Sequence, residues 1–229
     1  MMEGKITYFD KIGRENTEAT LSIAKKRADE LGIKTILVAS TIGDTAARAA
    51  DVFTGAKVIA VGHVYGMREA NTNTFTAENK KHVESKGGVV LFAGHTFTGI
   101  TRRPTPPPVP GTPPVMPTGA ILEIGDIIAS TLRMICAGFK VVIECGAMAA
   151  DAGLVRTDED IIAIAGSGRG ADTAVVMRAA NSRDLFRSRI TEILCKPLLY
   201  AGGGPPAGAP GAGAGAGAGA PPAGARRPA

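Results

Sequence analysis

Short apolar runs separated by helix-like segments are the feature that most constrains this chain. Residues 35 to 40, 57 to 62 and 89 to 94 read TILVAS, KVIAVG and VVLFAG. Each run is apolar at nearly every position, which is typical of a strand covered on both faces. Helical segments at about 44 to 54 and 76 to 86 separate the runs. The alternation predicts a parallel sheet built from strand-helix-strand units, and hence an α/β fold.

The segment before these runs follows the same order. Residues 5 to 9 predict a short strand, and an amphipathic helix follows that ends at Gly32. Asn16 or Thr17 can cap the start of this helix. Its apolar stripe consists of Leu21, Ala24, Ala28 and Leu31.

The second half of the chain is predicted to complete the sheet. The predicted elements are an amphipathic helix at 119 to 138, strands at 140 to 145, 160 to 166, 172 to 179 and 190 to 195, and short helical segments near 147 to 153 and before the last strand. Only a loop separates Ala165 from Asp172, and it is too short for a parallel crossover. The strands on either side of this loop are therefore expected to form an antiparallel hairpin.

Two segments are unlike the rest in composition. All but one of the 15 prolines lie in residues 102 to 118 or after residue 200. We therefore predict one α/β domain over residues 1 to 200 with a proline-rich insertion at 102 to 118. The insertion is expected to be exposed and polyproline-like, with a PxxP ligand for a partner as the alternative. The Gly/Ala/Pro-rich residues 201 to 229 predict a disordered tail.

Composition also bears on function class and location. The net charge is +5 and aromatic residues make up only 4%, without a basic stripe, so we predict no nucleic-acid binding. The three cysteines lack CxxC spacing, which indicates buried thiols in a reducing cytoplasm, with no metal site. Residues 120 to 139 carry charges at helical spacing, and the N-terminus lacks the apolar core of a signal peptide. We expect a cytoplasmic protein with no membrane partner. The sequence is compatible with a homo-oligomer.

A hydroxyl-rich loop follows the first of the three apolar runs. The strand ends at Ser40, Gly43 makes the turn, and a helix begins near Asp44 and Thr45. A helix N-terminus at the carboxyl end of a parallel strand presents free N–H groups and a partial positive charge. The hydroxyls of Ser40, Thr41 and Thr45 could therefore ring a phosphate. Asp44 would repel an anion, and its alternative role is that of a cap or helix-dipole partner.

The stretch around this loop, TILVASTIGDTAARAADVFTGAKVIAVGH, resembles the C-terminal domain of pyruvate kinase. In that domain a strand, a hydroxyl-rich loop and a helix hold a sugar phosphate of the allosteric effector. The residues that match the loop are Ser40, Thr41, Gly43, Thr45 and Ala46. Ile42 stands where a hydroxyl is usual, and Asp44 stands where a basic or polar residue is usual.

A second resemblance covers nearly the whole predicted domain. The blocks YFDKIGRENTEATL, ASTIGDTA, FTGITR, CGAMAADAG and GRGADTAVVMRAA are similar to those of stand-alone, largely archaeal proteins with a pyruvate-kinase-C-terminal-like fold. This resemblance implies a three-layer α/β/α domain with a mixed, mostly parallel sheet of order 3-2-1-4-5 and no catalytic barrel. It also implies flavin mononucleotide (FMN) as a ligand. Residues 102 to 118 depart from the family pattern.

With that strand order, the ligand crevice is expected between the strand that ends at Ser40 and the strand predicted at 140 to 145. Met148 could rest against a flavin ring, and Asp151 could accept a hydrogen bond from a ribityl hydroxyl, with backbone capping as its alternative. Glu144 is expected to be buried and paired. The remaining candidate binding residues are Gly13, Arg14, Asn16 and Thr17 at a helix start, Thr98, Gly99 and Arg102 after the third apolar run, and Ser167 and Arg169 in the hairpin loop.

No motif in the sequence identifies a chemical reaction. A strand-like run follows the loop GSGRGAD, so this loop is not a dinucleotide fingerprint, which needs a helix there. His63 and His95 are candidate acid/base groups, with a polar rim as the alternative. The leading hypothesis is a module that binds a phosphorylated small molecule. The alternatives are a flavin- or sugar-phosphate-dependent enzyme, and a scaffold whose proline-rich loop docks a partner.

Overall fold

A computed structural model describes residues 4–97 and 123–198. In these two ranges the strands are β1 (Thr7–Phe9), β2 (Thr35–Ala39), β3 (Lys57–Gly62), β4 (Val89–Phe92), β5 (Ile161–Ala165), β6 (Thr173–Arg178) and β7 (Arg189–Pro197). The α-helices are α1 (Thr17–Leu31), α2 (Asp44–Val52), α3 (Ala77–Ser85), α4 (Ile124–Arg133) and α5 (Ala137–Asp151). Arg14–Asn16 and Ser182–Arg187 are 3-10 helices. The proline-rich insertion and the tail lie outside the described residues.

The strands form one mixed sheet of order β1-β7-β6-β5-β2-β3-β4. Strand β6 is antiparallel to both β5 and β7, and every other pair is parallel. The predicted hairpin is confirmed, because Ala165 pairs with Thr173 and Ile161 pairs with Met177. If β2 is counted as the first strand, the expected order 3-2-1-4-5 describes β4-β3-β2-β5-β6. Strands β7 and β1 extend the sheet beyond that order.

Helices cover both faces of the sheet, as the continuous apolar runs predicted. Along β2, Ile36 and Val38 pack in a core with Leu21 of α1 and residues of α2 and α3. Leu37, which points to the other face, packs in a second core with Val142 of α5 and residues of α4. The result is a three-layer α/β/α arrangement in which the sheet is buried between two helical layers.

Helix α1 follows its predicted apolar stripe with two differences. Its last residue is followed by Gly32, whose backbone is left-handed and whose N–H donates to carbonyls of the last turn. Leu31 is 43% exposed, so it does not belong to the buried stripe. Asn16 occupies the N-cap position, but its side-chain amide donates to the Lys11 carbonyl 2.8 Å away instead of capping the helix.

The prediction of a strand at 140 to 145 was wrong. These residues lie in the middle of α5, which also includes most of the short helix predicted at 147 to 153. Nearly the whole of α5 is buried, so apolar residues occur on all of its sides and the sequence shows no helical stripe. The predicted helix at 119 to 138 is shorter in the described residues, where α4 ends at Arg133. None of the described helices is long and apolar enough to cross a membrane.

Candidate ligand-binding site

The candidate site lies where the order of the sheet reverses. Strand β2 is flanked by β3 on one side and by β5 on the other, and all three strands are parallel. The loop after β2 (40–43) and the loop after β5 (166–172) therefore leave the same edge of the sheet. The expected crevice between Ser40 and the segment at 140 to 145 is corrected accordingly. Strand β5, not residues 140 to 145, is the neighbour of β2.

A cavity of about 440 Å³ opens at this edge. Its wall is built from the loop after β2, the start of α2, the end of β3, His95, α4, α5 and the loop after β5. The lining residues are Ala39, Ser40, Thr41, Ile42, Asp44, Thr45, Val61, Gly62, His63, His95, Asp126, Arg133, Lys140, Val141, Glu144, Cys145, Met148, Gly166, Gly168, Arg169 and Gly170.

The hydroxyl-rich loop supplies one wall of the cavity. Ser40, Thr41 and Thr45 line it together with Asp44, as the sequence predicted for a single site, while Gly43 makes the turn beside them. Part of the α2 N-terminus is already occupied, because the Thr45 N–H donates to Asp44 Oδ1 over 2.9 Å. The Ala46 N–H donates to Ser40 Oγ over 3.4 Å. Asp44 therefore has its alternative role as a first-turn partner of the helix.

Asp172 holds the loop after β5 in place. This side chain is fully buried, and its Oδ2 accepts hydrogen bonds from the Gly13 N–H at 2.8 Å and the Ser167 N–H at 3.1 Å. Its Oδ1 accepts a hydrogen bond from the Thr173 hydroxyl at 2.9 Å. One carboxylate thus joins the loop, strand β6 and the segment before α1. Sequence reasoning missed Asp172, although an acidic residue directly between a glycine-rich loop and a strand is a usable signal.

The predicted site residues at 13 to 17 do not line the cavity, and two of them support the loop after β5. The Thr17 hydroxyl donates to the Arg14 carbonyl and accepts from the Ala171 N–H at 3.0 Å. Gly170 has a φ of 75°, and a Cβ there would lie 2.5 Å from the Cα of Arg14. This close approach requires glycine. Gly13 and Thr17 are buried supports of the loop, whereas Arg14 is exposed.

The other predicted residues divide between the cavity and elsewhere. Met148 and Arg169 line the cavity, whereas Ser167 is not part of the lining and its N–H is bound to Asp172. Asp151 lies at the far end of α5, outside the cavity lining, and accepts hydrogen bonds from the Ser182 N–H and the Asn181 side-chain amide. Burial acts to raise the pKa of Asp151, but these hydrogen bonds outweigh it and lower the pKa. Thr98, Gly99 and Arg102 lie outside the described residues.

A buried cluster of charged side chains forms the opposite wall. Lys140 and Glu144 lie one turn apart on α5, and the Lys140 ammonium donates a hydrogen bond to Glu144 Oε2. Glu144 Oε1 accepts from the Phe97 N–H at 3.2 Å, and His95 Nδ1 lies 3.6 Å from Oε2. The ring of His63 lies beside that of His95, with 5.7 Å between centroids. An acid and a base four residues apart in an apolar run are the sequence signal for this cluster.

Charge and burial set the protonation states in this wall. Burial acts to raise the pKa of Glu144, but the neighbouring His95 and the positive charge of Lys140 outweigh it and lower the pKa to about 2. Burial, together with the charge of Glu144, raises the pKa of the Cys145 thiol to about 12. Glu144 is therefore a carboxylate at neutral pH, whereas Cys145 is a neutral thiol and a poor nucleophile. Among the described residues, no group of three or more His, Cys, Asp or Glu side chains could hold a metal ion.

No model of a known protein family matches the chain. This chain is similar to a crystal structure of a pyruvate kinase from Cryptosporidium parvum. The match covers 70% of this chain, with 14% sequence identity and a TM-score of 0.34. The matched region spans about a fifth of the pyruvate kinase chain, 22% of its length. The α/β assignment of this chain depends on its own sheet order and layers.

Proposed function

We propose that the cavity binds a phosphorylated small molecule and that FMN is the ligand to test first. The observation that carries the proposal is the meeting of two loops and a helix N-terminus at the topological switch point. Open α/β sheets bind ligands at this place, because the loops at the carboxyl ends of the strands separate there. The proposed ligand therefore lies between the loop after β2 and the loop after β5.

The phosphate is assigned to the end of the cavity between these loops. Thr41 supplies a hydroxyl, but the Asp44 carboxylate in the first turn of α2 offsets the partial positive charge of that N-terminus, so the positive charge for a phosphate has to come from a cationic side chain. The guanidinium of Arg169 forms no ion pair with any carboxylate in residues 4–97 and 123–198, and the same holds for Arg133. Arg169 is therefore available for the two-pronged phosphate contact that guanidinium groups favour.

The rest of the cavity suits a large, partly apolar group. Its volume of about 440 Å³ is within the range of small-molecule sites, which is about 300 to 1,000 Å³. Ile42, Val61 and Met148 are apolar lining residues against which a flavin ring could rest. The resemblance of five sequence blocks to stand-alone pyruvate-kinase-C-terminal-like proteins adds the expectation of FMN in particular. A sugar phosphate would share the phosphate contacts but would leave these apolar residues without a partner.

The decisive experiment is a titration of the purified full-length chain. We expect a flavin absorption spectrum in the native protein or, after removal of bound flavin, quenching of FMN fluorescence with a saturating curve. Riboflavin, which lacks the phosphate, should bind more weakly, and a sugar bisphosphate tests the alternative ligand. A colourless protein whose melting temperature is unchanged by excess FMN and by sugar phosphates would contradict the proposal.

A pair of arginine variants tests where the phosphate lies. Arg169→Ala removes a charged donor from the cavity and should weaken FMN binding by about 10-fold or more, because such contacts contribute about 1.5 to 3 kcal/mol. Riboflavin binding should change little. The matched control is Arg183→Ala on the exposed 3-10 helix, which is expected to bind FMN like the parent protein. Equal losses for FMN and riboflavin would place the phosphate away from Arg169.

A further inference from the structure

The buried charges on α5 require an explanation other than stability. The side chains of Lys140 and Glu144 are 7% and 4% exposed, although removing charges from water costs several kcal/mol each. Apolar residues of similar volume at such a pair often give an equally stable or more stable protein. The pair lies in the cavity wall together with His95, where paired charges can act on a ligand.

We propose that His95 is an acid–base residue that exchanges a proton with the bound ligand, and that Glu144 and Lys140 are positioning residues for it. This inference rests on the proposed function, because it needs a ligand in the cavity. It adds a chemical role to a site that the proposed function treats only as a binding site. The ligand class is a phosphorylated molecule with a basic oxygen or ring nitrogen near His95.

The contacts of Glu144 explain how the imidazole would be oriented. One carboxylate oxygen accepts the backbone N–H of Phe97, two residues after His95, so Glu144 binds the segment that carries the histidine. The other oxygen is shared between Lys140 and the Nδ1 side of His95. The His95 contact of 3.6 Å is within ion-pair distance but longer than a hydrogen bond. A proton on Nδ1 would point to Glu144, which leaves Nε2 for the ligand.

The proton transfer breaks one N–H bond of His95 and forms one bond to the ligand. When His95 is an imidazolium, its Nε2–H bond breaks, a new bond forms between that proton and the basic atom of the ligand, and the positive charge moves to the ligand. The Nδ1 proton stays toward Glu144, and the reverse transfer restores the imidazolium. Glu144 holds the orientation of the ring, and Lys140 keeps Glu144 ionised. Among the described residues, the other charged or titratable side chains around the cavity are His63, Asp44, Asp126, Arg133, Cys145 and Arg169.

A ligand-free measurement tests the pairing of His95 with Glu144. Ring nitrogen shifts of ¹⁵N-labelled full-length protein distinguish the Nδ1–H form of neutral histidine from the Nε2–H form, which is the more common one in water. We expect the Nδ1–H form for His95 and a shift toward Nε2–H in Glu144→Gln. The Nε2–H form in the parent protein, or no change in the variant, would overturn the proposal.

Proton uptake on ligand binding tests the exchange itself. FMN is titrated calorimetrically between about pH 6 and 9 in buffers of different ionisation enthalpy, which gives the number of protons taken up per ligand. We expect uptake in the parent protein and less in His95→Gln, whose FMN Kd should rise and depend less on pH, because binding no longer draws a proton to residue 95. His82→Gln is the matched control, because His82 contacts the carboxylate of Asp51 at 3.0 Å outside the cavity lining. It should retain the full uptake.

The outcomes separate this proposal from the proposed function. If FMN binds and His95→Gln takes up protons like the parent protein, the acid–base role is wrong and the binding site stands. If no variant or parent protein binds FMN, the proposed function fails for that ligand, and the acid–base role fails with it. The nitrogen shifts then decide only whether the histidine–carboxylate pair exists.

Discussion

Glu144 and Asp172 are both buried carboxylates, but they have partners of opposite kinds. Asp172 accepts hydrogen bonds from two backbone N–H groups and one hydroxyl, which belong to the loop after β5, the segment before α1 and strand β6. Glu144 contacts two basic side chains and one backbone N–H in the wall of the cavity. A carboxylate bound mainly by the backbone fixes the position of chain segments, whereas one bound by ionisable side chains can control their protonation.

The largest expected effect comes from removing the Asp172 carboxylate. Asp172→Ala leaves the buried N–H groups of Gly13 and Ser167 without an acceptor, so we expect a loss of about 3 to 5 kcal/mol in the free energy of unfolding. Urea denaturation followed by circular dichroism measures this loss. Asp160→Ala, which removes an exposed carboxylate paired with Arg178, should cost about 1 kcal/mol or less. Similar losses in the two variants would show that Asp172 is not an anchor.

A double-variant cycle on α5 tests whether Glu144 is held by the charge of Lys140. Glu144→Leu alone leaves the Lys140 charge buried without a partner and should cost about 3 kcal/mol. Lys140→Met combined with Glu144→Leu should recover most of that loss, because no buried charge remains. The partners of Asp172 are mainly backbone groups, so no second substitution can rescue its loss in this way. A double variant as unstable as Glu144→Leu would contradict the comparison.

Acid should reveal the lowered pKa of Glu144. The pKa in the folded protein is about 2, below the ordinary value of 4.5, so the unfolded chain binds this proton more readily. The resulting stabilisation is fully present above about pH 5 and is lost as the pH falls toward about 2. We expect the stability difference between the parent protein and Glu144→Gln to shrink by roughly 2 to 3 kcal/mol over that range.

Urea denaturation at a series of pH values measures this change. Glu159→Gln is the control, because Glu159 forms an exposed pair with Arg156 and its removal should give a difference that varies little with pH. A stability difference for Glu144→Gln that does not depend on pH would show that the carboxylate is not held as an anion.

The smallest effect is expected in the loop that Asp172 holds. Gly168 has a φ of 95°, and a Cβ there would meet no atom within 4 Å, so Gly168→Ala should cost only about 1 to 2 kcal/mol of backbone strain. Gly87→Ala has the same kind of strain, with a φ of 79° and open space, in a turn outside the cavity lining. The two variants should lose similar stability, and only Gly168→Ala should weaken FMN binding. If both variants bind FMN equally well, the loop after β5 does not contact the ligand.

Much of the fold could be predicted because local patterns report it directly. The apolar runs identified β2, β3 and β4, and the short loop before Asp172 required the hairpin of β5 and β6. The prediction of a strand at 140 to 145 was wrong for a physical reason. A fully buried helix has no polar face, so its sequence has the same continuous apolar character as a central strand. That error moved the expected crevice from β5 to a helix.

The candidate site divides in the same way. The sequence by itself determined the two loops, because glycine and hydroxyl residues at the end of an apolar run indicate a turn wherever the run lies. Only the tertiary structure decided that the two loops share one cavity, that Asp172 joins three segments, and that His95 lies beside Glu144. The contact between Gly13 and Asp172 joins residues 159 positions apart, and periodicity in a short window carries no information about such a distance. The sheet order brings the two loops together because β2 and β5 are neighbours and end at the same edge.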